Sequence, residues 1–202
     1  MPLLVATKNK AKIKTYINIL QQYKIPCVTL DSLDDNSDVE ETGKTLRENA
    51  VLKASFFAKK YGFPAIGDDT GFEIDALGGE PGIYARRWPG YEATDEELLN
   101  MVETKLAGVP EDKRTARLIN YIALVDKNGE ILQVGTGSIE GYIPVKISDK
   151  RDPGFPYRSA LFLPQFHKFL IEATDEEINQ LKYREESLKK MIPQIKQVIS
   201  NL

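Results

Sequence analysis

The chain has 202 residues, with 27 Lys and Arg against 30 Asp and Glu, for a net charge of −3 at pH 7. That length can bury a full core without staples, and 42% hydrophobic with 28% charged residues excludes wholesale disorder. The slightly acidic balance excludes nonspecific binding to nucleic acid, the lone Cys27 excludes an internal disulfide or a Cys-based zinc cluster, and the lone His167 excludes two-His metal motifs. No apolar run approaches the roughly 20 residues a membrane span needs, and the opening MPLLVATKNK has too short an apolar stretch for a signal peptide. A soluble, cytoplasmic protein with no membrane and no nucleic-acid partner is the expectation.

In chain order, residues 3–6 (LLVA) are apolar throughout and too short for a helix, which predicts a buried strand. The polar turn Thr7-Lys8-Asn9-Lys10 follows, then a helical pattern from about Ala11 with Ile13, Ile17 and Leu20 on one face. The stretch Asp31 to Asp38 reads as an exposed acidic loop. Capping boxes announce three more helices: Thr45…Glu48, Thr94…Glu97 and Thr174…Glu177. In each, a Thr oxygen accepts an early helix N–H while the Glu reaches back. The first helix extends to about Lys60, and the second stops near Gly108-Val109-Pro110. The third opens a C-terminal helical region that Pro193 should kink or split. Pro64-Ala65-Ile66 predicts a short strand ending at Asp68-Asp69, and Phe72 to Leu77 a second. Arg117 to Val125 and Ile131 to Ile143 predict an antiparallel pair turning at Asn128-Gly129. The pattern as a whole predicts an α/β fold on a mixed sheet, one domain over 1–202, with no lobe boundary placed.

Three polar constellations stand out. The first, Thr7-x-Asn9-x-x-Lys12, lies at a strand-to-helix turn, where unpaired N–H groups and the helix dipole favour phosphate. An ordinary helix start with solvated lysines explains the same residues, and no Gly-rich Walker pattern decides between the two. The second is carboxylate-rich: Glu40-Glu41 and Asp68-Asp69. Hard oxygen ligands of this kind suit Mg²⁺, which takes one or two carboxylates, waters and substrate phosphates; a solvated turn is the alternative. The third is the loop Pro153-Gly154-Phe155-Pro156-Tyr157-Arg158. Its aromatics could stack a nucleobase with Arg158 at the polar edge, or Phe155 and Tyr157 could anchor the loop to the core. Cys27 and His167 lack a third orienting group and read as packing or surface residues.

Taken in order, these pieces resemble the inosine triphosphate pyrophosphatase family, the XTP/dITP diphosphatases. The match begins with Val5-Ala6-Thr7-Lys8-Asn9-Lys10-Ala11-Lys12, similar to the family's A-T-G-N-x-x-K with Lys8 in place of Gly. It continues through Glu40-Glu41-Thr42-Gly43-Lys44-Thr45-Leu46-Arg47-Glu48-Asn49-Ala50 and Leu52-Lys53-Ala54. Most specific is Pro64-Ala65-Ile66-Gly67-Asp68-Asp69-Thr70-Gly71-Phe72, followed by Asp75 to Tyr84 and Arg87. The resemblance implies an elongated two-lobed α/β fold around a central mixed sheet with flanking helices, the active site in the cleft between lobes, and a homodimer. It implies Mg²⁺-dependent hydrolysis of nucleoside triphosphates to monophosphate and pyrophosphate, with deaminated purines (ITP, dITP, XTP) as substrates removed from the nucleotide pool. Thr7, Lys8, Asn9, Lys12 and Lys53 are then the phosphate-binding residues. Asp69 is the general base and a metal ligand, with Asp68 and Glu40 or Glu41 supporting the metal, and Thr70 touches substrate where the family has Ser.

The C-terminal half departs from the pattern. In Gly154-Phe155-Pro156-Tyr157-Arg158 the family's middle Gly is Pro156 and its Asp is Arg158. In Glu176-Glu177-Ile178-Asn179-Gln180-Leu181-Lys182-Tyr183-Arg184 a Lys has become Ile178 and a His has become Tyr183, while Arg184 stays. Phe155, Pro156, Tyr157, Arg158, Tyr183 and Arg184, with Thr70, are therefore the residues expected to meet the base. Two alternatives follow from these changes: the same reaction with a shifted base preference (a pyrimidine or modified nucleotide), or a nucleotide-binding protein with little turnover.

Overall fold

A computed structural model describes residues 1–200 of the chain. The first half contains β1 (Leu3–Ala6), α1 (Lys10–Gln22), β2 (Cys27–Thr29), α2 (Leu46–Tyr61), β3 (Ala65–Ile74), β4 (Pro81–Gly82) and α3 (Asp95–Lys105). It continues with β5 (Thr115–Val125), β6 (Ile131–Tyr142), α4 (Tyr157–Ala160), β7 (Phe162–Leu163) and β8 (Lys168–Phe169). Three helices close it: α5 (Asp175–Leu181), α6 (Tyr183–Lys189) and α7 (Ile192–Ser200). The strand order is β2-β1-β3-β5-β6-β7-β8, with β4 paired to β3. Because β1 runs parallel to β2 and β3 while β4, β7 and β8 pair antiparallel, the sheet is mixed.

The chain divides into two compact units. The first comprises Met1–Thr70, Asn120–Gly137 and the chain from Tyr183 on; the second comprises Gly71–Ile119 and Ser138–Lys182. In the first unit, strand alternation builds two cores. Leu3 and Val5 of β1, Ile66 of β3, and Ile122 and Leu124 of β5 pack with α1, α6 and α7 through Ile19, Leu20, Leu188 and Ile195. Their neighbours Leu4, Ala6, Ala65, Ala123 and Val125 pack with α2 through Ala50, Ala54, Phe57 and Ala58. Each fully buried Leu or Ile stabilises the fold by about 1.5–3 kcal/mol. Gly67 sets the spacing on the α2 side, since a Cβ there would run into the Ala50 carbonyl and the Ala54 backbone nitrogen.

The second unit is described by itself. Leu98, Leu99 and Val102 of α3 are buried, and the Arg114 guanidinium donates to the Val109 and Leu106 carbonyls beyond that helix at 2.9 and 3.0 Å. Phe72 and Tyr157 stack at 4.4 Å between ring centroids.

Several sequence expectations change here. The buried face of α1 is Tyr16, Ile19 and Leu20, not Ile13, Ile17 and Leu20, because the tyrosine turns inward to a polar partner described below. At α2, Thr45 caps the Glu48 N–H, but Glu48 accepts from Lys44 N–H at 2.6 Å, so the box closes one residue early. The boxes at Thr94 and Thr174 form in full. The C-terminal helical region is split next to Pro193, as expected: α6 ends at Lys189 and α7 starts at Ile192, which leaves the proline as the second residue of α7, where its missing N–H costs least. A second break, not expected, separates α5 from α6 at Lys182, with φ +47°. The acidic loop contains a turn at Asp31–Leu33 and buries Asp35, whose carboxylate accepts from Lys60 at 2.9 Å and Tyr61 at 2.7 Å.

Candidate functional site

The largest correction concerns Asp68 and Asp69. They lie in the middle of one ten-residue strand, β3, and not at the end of a short one. Adjacent residues of a strand point to opposite faces, so the two carboxylates enter different environments.

Asp68 faces the α1 and α6 side and is 2% exposed. It accepts hydrogen bonds from Lys12 Nζ and Tyr16 Oη of α1, one helical turn apart. Thr70 Oγ1 lies at 3.1 Å, Asn120 Nδ2 of β5 at 3.4 Å and Arg184 Nε of α6 at 3.4 Å. Burial opposes its charge, but Lys12 and Arg184 outweigh burial and hold the carboxyl below the usual carboxylate range. Burial in turn pulls Lys12 down, against the pull of Asp68. Burial, reinforced by the Asp68 charge, pushes the Tyr16 phenol well up, so it stays a protonated donor.

Asp69 faces α2. Lys53 Nζ reaches it at 2.7 Å and also reaches Glu41 Oε1 at 3.0 Å. Asn49 Nδ2, one turn before Lys53, lies 3.3 Å from Asp69, and Asn49 Oδ1 accepts from the Gly43 N–H at 2.9 Å. That second bond ties the chain after Glu41 to α2. Burial raises the Asp69 carboxyl, and Lys53 only partly reverses the rise. Lys53 itself is raised, because Asp69 and Glu41 together overcome its burial.

The structure thus gathers Lys12, Asp68, Thr70, Tyr183 and Arg184 on one face of β3 and Glu41, Lys53 and Asp69 on the other. Arg184 uses all three guanidinium nitrogens: Nε toward Asp68, Nη2 on Thr70 Oγ1 at 3.3 Å, and Nη1 on the Tyr183 hydroxyl. Gly137 makes that placement possible, since a Cβ there would strike the Tyr183 carbonyl at the start of α6. Other predicted residues lie apart from these pairs. Thr7 Oγ1 accepts from the Asn9 N–H at 3.3 Å, and Asn9 Oδ1 caps α1 by accepting from Ala11 and Lys12 N–H at 3.0 and 3.1 Å. Lys8 turns to the acidic loop, donating to the Asn36 carbonyl at 3.0 Å. Glu40 is exposed. Among the described residues, no three of His, Cys, Asp and Glu gather as a metal cage.

The loop of residues 153–158 belongs to the second unit. Tyr157 is an anchor, stacked on Phe72 and donating to the Ala85 carbonyl at 2.6 Å, and Pro156 is buried at the start of α4. Phe155 is exposed, with Arg158 over its ring at 5.7 Å and paired with Asp152 at 2.5 Å.

Tyr16, Asn49 and Asn120 were not among the predicted site residues. Each carried a signal. Tyr16 stands one turn after Lys12, Asn49 one turn before Lys53, and Asn120 two residues before Ile122 on the same buried face of β5.

These features define a mixed α/β protein, its sheet flanked by helices, with a centre of carboxylates and lysines suited to a polyanionic substrate. A model of the Ham1 family matches residues 3–194. The dITP/XTP pyrophosphatase of Halalkalibacterium halodurans is 37% identical over 188 residues, covering 93% of this chain and 95% of that one. The dITP/XTP pyrophosphatase of Bacillus subtilis is 34% identical, covering 93% of each chain. A solved HAM1 protein from Coxiella burnetii superposes with a TM-score of 0.84 at 28% identity, covering 98% of this chain and 99% of that one. The chain belongs to the Ham1 family. No helix among the described residues is long and apolar enough to cross a membrane.

Proposed function

We propose that the chain hydrolyses nucleoside triphosphates to nucleoside monophosphate and pyrophosphate, acting on deaminated purine nucleotides such as dITP, ITP and XTP. The observation that carries this reading is Asp69, a buried carboxyl with a raised pKa, held by Lys53 beside Glu41. A carboxylate raised by burial is a better base near neutral pH than an exposed one. In the proposed step, water attacks the α-phosphorus as Asp69 takes its proton. A new P–O bond forms, the bond to the α–β bridging oxygen breaks, and its electron pair leaves with pyrophosphate. Lys12 and Lys53 supply positive charge for the phosphates, which suits a reaction governed by positioning and charge neutralisation.

Glu41 and Asp69 fit a Mg²⁺ site, because that ion needs only one or two protein carboxylates and completes its shell with water and phosphate oxygens. Bound there, Mg²⁺ would neutralise phosphate charge and lower the pKa of water. Asp68, on the other face of β3, is bound up with Lys12, Tyr16 and Arg184 instead. A homodimer in the cytoplasm, working on the free nucleotide pool, belongs to the same proposal.

A second reading keeps the reaction and relaxes the base preference. It is favoured by Arg184, whose three nitrogens are all engaged, and by Arg158, which is paired with Asp152. Phe155 alone among the predicted base-contacting aromatics keeps an exposed ring. Pyrophosphate release measured with Mg²⁺ across ITP, XTP, dITP, dUTP and the four standard triphosphates tests both. Preference for ITP or XTP supports the first reading, a flat profile supports the second, and no release from any substrate overturns both.

A further inference from the structure

Five donors meet on the buried carboxylate of Asp68; besides Thr70, which is half-buried and also accepts from Arg184, they are of two kinds. Lys12 and Arg184 are cations whose side chains keep 15% and 16% of their surface exposed. Tyr16 and Asn120 are neutral and sealed, at 1% and 0% exposure. A cation at the edge of the site can be drawn to an arriving phosphate, whereas the sealed neutral donors have nowhere else to go. Yet if Lys12 leaves, Asp68 is a buried carboxylate short of a partner, a state that is strongly destabilising.

Asn120 adds an independent sign. Its Oδ1 is a buried side-chain atom with no hydrogen-bond partner, while its Nδ2 points to Asp68. An orphaned buried acceptor carries a desolvation cost that a leucine of similar size would avoid. What accounts for an amide at this position is its donor to Asp68. Tyr16 presents the same pattern: a ring packed in the core with Ile19, Leu20 and Leu188, and a single polar atom spent on Asp68.

We infer that Tyr16, aided by Asn120, is a positioning residue for the proposed reaction: it holds Asp68 so that Lys12 can be shared with a substrate phosphate. The inference rests on the proposed pyrophosphatase reading. With the hydroxyl gone, Asp68 retains Lys12 more tightly and the substrate receives less of it.

The test is Tyr16→Phe, which keeps the ring, assayed in the intact chain as pyrophosphate release from ITP at saturating Mg²⁺. The expected result is a roughly tenfold rise in KM, about the worth of one hydrogen bond to a charged group. Alongside it, kcat stays within about twofold and the Mg²⁺ half-saturation point does not move. In a Lys12→Ala background the same change should add nothing. Asn120→Leu is the companion variant should Tyr16→Phe fold poorly; it should raise KM in the same sense, by about threefold, without lowering the melting temperature. An unchanged KM in both variants overturns the inference, as does a full rise that persists without Lys12 or a shift in the Mg²⁺ requirement. Those results require an active parent; a parent that releases no pyrophosphate overturns the pyrophosphatase reading itself.

Discussion

Two neighbouring carboxylates on one strand have opposite characters. Asp68 is pinned by two cations and three neutral donors, and its carboxyl is held low. Asp69 has one lysine, shared with Glu41, and one amide, and its carboxyl is pushed up. Both are buried, so burial does not separate them; the supply of positive charge on each face does. A carboxylate with surplus partners is a fixed charge that organises its surroundings. One with a shared partner is able to accept a proton. The difference between β3's faces is therefore a division between a structural anion and a reactive one.

The sharpest way to break the comparison is to neutralise each acid in turn. Asp69→Asn should lower pyrophosphate release by about 10²–10⁴-fold, the usual worth of a general base. Its fold should survive, since Lys53 keeps Glu41. Lys53→Ala, by contrast, removes the cation that partly restrains Asp69. The acid limb of the pH–rate profile, which rises as Asp69 ionises, should then move to higher pH.

Asp68→Asn should act on the fold. Removing one partner from a buried ion cluster costs about 3–5 kcal/mol, and here two cations would be left facing a neutral amide. Acid titration of stability sharpens the contrast, because the two shifts have opposite signs. Asp68 has a depressed folded pKa, so its contribution is present above the ordinary carboxylate pKa and is lost as pH falls through the folded value. Asp69 has a raised folded pKa, so its contribution is present at low pH and is lost as pH rises through the folded value. Melting curves between about pH 3 and 7 should show the parent's advantage over Asp68→Asn growing with pH. Its advantage over Asp69→Asn should shrink. Parallel slopes would end the distinction between the two faces.

Two glycines test whether each face depends on the helix packed against it. Gly67→Ala forces α2 away from β3 on the Asp69 side, and Gly137→Ala forces α6 away from β6 on the Asp68 side. Each should cost about 1–3 kcal/mol, as overpacking does. Gly67→Ala should also reduce turnover through Asn49 and Lys53, which α2 carries. Gly137→Ala should act through Arg184 and mainly alter discrimination between bases, read as the ratio of kcat/KM for ITP and ATP.

Much of this arrangement was legible in the sequence. The apolar run Leu3 to Ala6, the capping residues Thr94 and Thr174, and the turn at Asn128-Gly129 follow from local chemistry and appear where predicted. Glu41, Lys53 and Asp69 were picked out by motif, and the fold brings them together. What local chemistry could not give was the environment of Asp68. Two adjacent acids followed by Thr-Gly look like the end of a strand, because an isolated carboxylate is poorly tolerated inside a sheet. Only the distant Lys12, Arg184 and Lys53 make a continuous β3 tolerable, and no local signal links residues 12, 68 and 184. The same blindness hid Tyr16 and Asn120, which look like core residues until their polar atoms are traced to a partner. Tyr157 illustrates the reverse error: an aromatic in a Pro/Gly loop suggests a ligand, while its stack on Phe72 and its bond to Ala85 make it an anchor.

Lys8 should give the smallest effect, and it bears on how far the phosphate-binding residues extend beyond the two faces. The resemblance places it in the turn that receives phosphate, at a position where the family pattern has Gly. The structure directs its ammonium to the Asn36 carbonyl at 3.0 Å and to Asp38 at 3.7 Å, where the Asp38 side chain is 97% exposed. An exposed pair of this kind is worth about 0–1 kcal/mol and weakens with salt. If Lys8 only steadies the acidic loop, Lys8→Gly should leave kcat unchanged and shift KM for ITP by less than about threefold, with the shift vanishing at high ionic strength. A tenfold or larger rise in KM that persists in salt would show that Lys8 leaves Asp38 for the substrate. Triphosphate binding would then draw on the loop after β2 as well as on the two faces of β3.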